Sequence, residues 1–158
     1  MKSVTLAIRT AYVEKTTGIT FLTKVIPVFE EYVQETATKK KAILTIGTMQ
    51  IEAYIILLNQ TVNDNSPKCQ RNDQTSIQAQ VTTVFPLGKG GTKTAEQIAE
   101  LFMDKLFVNS NLETNLVLPP PFHIWKSVME GVKNINYTTD TNSVWITQLI
   151  LNHYVSQS

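Results

Sequence analysis

SIQAQVTTVFPLGKGGTKTAEQIAELF, residues 76–102, changes hydrophobic period across a glycine-rich turn. Up to Phe85 the pattern alternates, with Ile77, Ala79, Val81, Thr83 and Phe85 on one side and Gln78, Gln80 and Thr82 on the other. That is the period of a half-buried strand. Past the turn, Ile98, Leu101, Phe102 and Leu106 recur at helical spacing, which predicts a helix from Ala95 to about Val108. A strand, a turn and a helix in this order point to a mixed fold class. The turn itself lies where a phosphate-binding loop would sit.

The phosphate-loop patterns fail. G-x-x-x-x-G-K-[ST] needs glycine before the lysine, so that backbone amides can wrap the phosphates. Here Thr92 precedes Lys93, Leu87 holds the first glycine position, and Lys89 is followed by Gly90. G-x-G-x-x-G fits Gly88 and Gly90 but meets Lys93 in its third place. The plainer reading is a joint: Pro86 ends the strand, the glycines turn the chain, and Thr94 caps the helix. Gln97 then stands at the capping-box position and Glu96 near the positive helix end.

Working outward, Val4, Ala7, Ile8, Ala11 and Tyr12 predict an amphipathic first helix with Ser3 as N-cap and Gly18 at its end. KVIPVFEEYV contains a proline among β-branched and aromatic residues, so it is expected as an edge strand. AILTIGTMQIEAYIILLNQTV reads as a strand broken near Gly47 or as a hairpin. Its stronger half has Ile55 and Leu57 facing one way and Tyr54, Ile56 and Leu58 the other, which predicts cover on both faces. Residues 63–75 read as a long polar loop, and residues 34–41 as a second. LETNLVLPPPFH is expected to be extended, because three prolines do not fit a helix. SVWITQLILNHYV, after the polar turn NYTTDTN, is expected as the last strand.

The fold class expected is therefore α+β: a mostly antiparallel sheet with two helices packed on one face and long projecting loops. The 158 residues suit one domain, 1–158, with a proline-rich extended segment at about 112–125.

Composition narrows the function. A net charge of +1 gives no bulk attraction to nucleic acid, anionic lipid or acidic substrates. Lys39, Lys40 and Lys41 are the only concentrated charge, and three lysines suit a solvated turn. One cysteine, Cys69, rules out an intrachain disulfide and has no histidine near it. No apolar run is long enough for a membrane span, so the chain reads as soluble and made in a reducing cytoplasm.

Chemistry-bearing constellations are missing from the sequence. His123 and His153 lack zinc spacing, Glu30 and Glu31 would point to opposite faces of a strand, and Asp64 and Asp73 lack the alternating ligands of a calcium loop. No serine sits in a nucleophile elbow. Trp125, Trp145 and Tyr154 suit core or interface anchors. Nothing argues for an enzyme, a metal or a cofactor.

The segment order resembles the phage tail terminator (tail-completion) family and its head-to-tail connector relatives. The resemblance runs from the N-terminal helix through IPVFEEYV, AYIILLNQTVNDN, SIQAQVTTVF and GGTKTAEQIAELFMDKL to the final strand. LETNLVLPPPFHIW and the length around 128–141 depart from it.

The resemblance implies a virion protein assembled in the host bacterial cytoplasm, with no cofactor and no membrane. It would be a subunit of a ring, hexameric in a tail or dodecameric in the neck of a short-tailed phage. Its partners would be the tail tube and the head connector or portal-side proteins, with DNA passing through the lumen without sequence-specific binding. Candidate assembly contacts are Lys39, Lys40, Lys41, Asn63, Asp64, Lys68, Arg71, Asp73, Lys89 and Lys93. Two other readings stand beside this one: a small nucleotide- or ligand-binding α+β enzyme using the 88–94 loop, and an adaptor domain that pairs by its edge strands.

Overall fold

In the computed structural model, which describes residues 3–64, 71–109 and 111–157, the first helix begins where its cap predicts. Ser3 is extended, and its hydroxyl accepts a hydrogen bond from the Leu6 N–H at 3.3 Å. Helix α1 (Val4–Thr16) buries Val4, Ala7, Ile8, Ala11, Tyr12 and Thr16. Ser3→Ala is expected to cost about 1 kcal/mol, since one orphan amide of the first turn loses its acceptor. A denaturant melt that leaves stability unchanged would show the cap to be idle.

A small hairpin follows, β1 (Thr20–Phe21) and β2 (Lys24–Val25), turning through Leu22 and Thr23. Both turn residues have positive φ, 47° and 67°, without being glycine. The expected edge strand is only β3 (Val28–Glu30), paired parallel to β5 (Met49–Asp64). Between them lies β4 (Ala42–Ile46), which turns at Gly47 into an antiparallel hairpin with β5, so the hairpin reading is the right one. Residues 31–41 form the lysine-bearing loop, as expected.

β6 (Arg71–Pro86) pairs with β5 and is central; α2 (Lys93–Leu106) follows it. The chain returns as β7 (Phe122–Thr138) and β8 (Asn142–Gln157). The six-stranded sheet has the order β3-β5-β6-β8-β7, with β4 also on β5. Both helices lie on one face: α1 packs on β5 and β6, α2 on β6 and β8, and the helices touch each other. Ile55 and Leu57, Ile77 and Val81, and Leu149 and Leu151 fill the space between, with Ile98, Phe102 and Leu106 from α2. The class is α+β, as expected.

Several expectations change. β5 is not covered on both faces: Ile51, Ala53, Ile55 and Leu57 are buried, whereas Tyr54, Ile56 and Leu58 are half-buried on the face without helices. Of the predicted 63–75 loop, residues 63–64 end β5 and residues 71–75 begin β6, while residues 65–70 lie outside the described residues. A bulge at Asn59, φ 50°, shifts the alternation there, and polar Asp73 and Thr75 occupy inward positions. Together these disguise the pattern.

Thr94 does not cap α2. Thr92 takes the N-cap position without a side-chain capping bond, and Thr94 sits buried in the first turn beside Ala95, so the expected capping box with Gln97 does not form.

The largest omission is β7. Its core-facing residues, set by pairing with Val155, His153, Leu151 and Leu149, are Ile124, Ser127, Met129 and Val132. Bulges at Trp125 and Glu130 each add one residue and invert the alternation that reveals a strand in sequence.

Candidate assembly surface

The glycine-rich joint is tied to the last strand. The Gly88 N–H donates to Ser143 Oγ at 2.8 Å, the Lys89 N–H to the Pro86 carbonyl at 3.0 Å, and Trp145 Nε1 to the Lys89 carbonyl at 3.1 Å. Gly90 has φ +89° and packs on Phe85 so closely that a Cβ would fall 2.5 Å from its ring. Two amides that a phosphate would need are already used. The glycines serve packing.

Among the described residues, a buried polar cluster with catalytic residue types has the same character. His153 on β8 is fully buried, and its Nε2 is hydrogen-bonded to the Tyr12 hydroxyl of α1. Ser127 Oγ of β7 stands 2.7 Å from the other ring nitrogen, and Phe107 stacks on the ring. A neutral imidazole has one donor and one acceptor, so the two hydroxyls satisfy it completely. Burial lowers the His153 pKa to about 4 and raises that of Tyr12. His153 and Tyr12 are fully buried and Ser127 is half-buried, so serine beside histidine here forms a hydrogen-bonded seam between helix and sheet.

The residues expected as assembly contacts fall into separate places. The lysine loop flanks the β3–β4 edge. Lys41 bridges Glu52 at 3.6 Å and Glu35 at 3.9 Å and lies over Tyr54; Lys39 lies over Phe29. Lys40 is exposed and has no carboxylate partner among the described residues. Asn63 and Asp64 are exposed at the end of β5, whereas Asp73, paired opposite Asp64, is buried at 3% and is therefore no surface contact. Arg71 begins β6, opposite Gln157; its side chain, like Lys68 and Cys69, lies outside the described residues. Lys89 and Lys93 follow the other end of β6. A strand of that length spans roughly 50 Å, so these groups cannot form one contact.

Sequence reading missed the flank between α2 and β7. A groove of about 620 Å³ there is lined by Met103, Phe107, Leu112, Met129, Val132 and Leu149. Glu96, Glu100 and Asp104 line its helical side. Their i, i+4, i+8 spacing was visible and sets all three on one stripe of α2. Glu96 accepts from Asn134 Nδ2 at 2.9 Å, while Glu100 and Asp104 have no ion pair or hydrogen bond among the described residues. Beside this groove runs β7, whose outer edge is unpaired among the described residues. No described helix is long and apolar enough to cross a membrane.

No protein-family model matches the chain, and no curated protein matches it. Among solved structures, the fold is similar to that of a chain from the "Virion of native gene transfer agent (GTA) particle". The TM-score is 0.57 at 14% identity, over 98% of this chain and 95% of that one. A likeness at that identity is one of fold.

Proposed function

We propose that this chain is a virion structural protein: a ring-forming subunit of a bacteriophage tail, or of the neck between head and tail. It would terminate or join the tail and leave a lumen for DNA. The observation that carries the reading is the end-to-end fold likeness to a chain of a gene transfer agent virion. The strand-turn-helix unit at 76–106, which resembles tail terminators, agrees with it.

Chemistry supports the same reading. His153 is buried with both ring nitrogens hydrogen-bonded, and the Gly88 and Lys89 amides of the glycine joint are already engaged by Ser143 and Pro86. A net charge of +1 suits a lumen that lets DNA slide, because a lysine-rich lining would hold phosphates through counterion release. Its partners would be copies of itself, the tail tube and the head connector or portal-side proteins.

Native mass spectrometry and electron microscopy of the purified chain test this. Closed rings, six-fold or twelve-fold, are expected, alone or when tail-tube or connector protein is added. A chain that stays monomeric under both conditions would overturn the proposal. A monomer that binds one partner copy by its edge strands would favour the adaptor reading instead.

A further inference from the structure

We infer that the β1–β2 hairpin of one copy seats in the α2–β7 groove of the next, head to tail. The inference rests on the ring reading above and names the surface that would close the ring.

The hairpin is an apolar knob ringed with positive charge. Leu22 and Val25 are 49% and 59% exposed, and Lys24 stands between them, also exposed. Leu22 and Thr23 both have positive φ, as the two-residue turn of a tight hairpin requires, and that turn carries Leu22 outward. The hairpin packs beside β4, next to the lysine loop and Lys40. Neither Lys24 nor Lys40 has a carboxylate partner among the described residues, whereas Arg9 and Lys41 are paired with Glu31, Glu35 and Glu52.

The groove is the complement: apolar inside, with Glu100 and Asp104 unpaired among the described residues on its helical side. Knob and groove occupy opposite edges of one sheet, β4 with β3 at one and β7 at the other. Four strand spacings separate those edges, roughly 20 Å, so the hairpin does not reach its own groove. A second copy does. Joining unlike surfaces of identical chains is a heterologous contact, the kind that generates rings when the rotation closes.

Charge reversal separates this contact from others. One variant carries Lys24→Glu and Lys40→Glu, the other Glu100→Lys and Asp104→Lys. Each alone places like charges across the contact, and each is expected to raise the concentration for half-assembly about tenfold or more at low salt. An equimolar mixture of the two should restore assembly, because each knob then meets an opposite groove. Circular dichroism melts matching wild type confirm that the variants fold, and a chain carrying all four changes, which should assemble by itself, covers the case in which one of them does not. Rings that form equally well in every variant, or a mixture that fails to rescue, would overturn this contact and leave the ring reading standing. A wild-type chain that never assembles would overturn both.

Discussion

Replacing Gly90 with alanine is expected to destabilise the fold by about 3 kcal/mol, among the largest effects of any single methyl addition in this chain. Two costs combine. The backbone at φ +89° is one that L side chains avoid, and the new Cβ would stand 2.5 to 2.8 Å from three atoms of the Phe85 ring. Phe85 is 3% exposed and belongs to the core, so the ring has little room to withdraw. Gly91 supplies the control: it has open space and no positive φ, so Gly91→Ala should stay within about 0.5 kcal/mol of wild type. Urea unfolding of both variants decides the matter. Equal midpoints would mean that the joint is soft and that its glycines are not needed for packing.

The second large effect is a pH dependence centred on His153. An unfolded histidine titrates near 6.5, and burial lowers the folded group to about 4. Between those values the unfolded chain binds more protons than the folded one. Stability from this group is therefore fully present above pH 6.5, falls as the pH drops through the window, and is lost below about 4. A difference of this size corresponds to about 3 kcal/mol. The physical cause is desolvation of the fully buried ring, whose two nitrogens are already engaged by the Tyr12 and Ser127 hydroxyls. His153→Gln removes the titration. Wild type should lose stability between pH 6.5 and 4 more steeply than this variant, by about the amount given. Parallel curves in denaturant melts across that range would show that the histidine charges freely.

How much of this was legible in the sequence depended on whether the backbone kept phase. Residues 77–85 keep a strict two-residue alternation, and α2 a clean helical stripe, so both were readable, as was the Ser3 cap. β7 was not. Its inward residues step by two, then three, then two, then three along 122–132, because Trp125 and Glu130 are extra. An eye set for either period finds neither. The 63–75 segment failed for another reason: its inward positions are Asp73 and Thr75, and polar residues turned toward the core look like loop when composition is the guide.

The Thr94 cap failed through a competing demand. A threonine next to Ala95 and Ile98 is as useful for packing as for capping, and burial won. Of the candidate contacts, the lysine loop was visible as charge. The acidic stripe on α2 was visible only as spacing, and the groove beside it had no signal until β7 was placed.

The two bulges also decide which strands could add to the sheet. They divide the outer edge of β7 into 122–124, 126–129 and 131–138, each offset from the next by one residue. The Glu130 offset is pinned from the neighbouring strand, where Asn152 Nδ2 donates to the Glu130 carboxylate. A passing straight strand can stay in phase with only one of these pieces, so each attempt to zip along the edge stalls after a few rungs. Chains at high concentration would otherwise grow into sheets through that exposed backbone. Trp125 and Glu130 thus act as misplaced teeth that resist any strand laid along this edge.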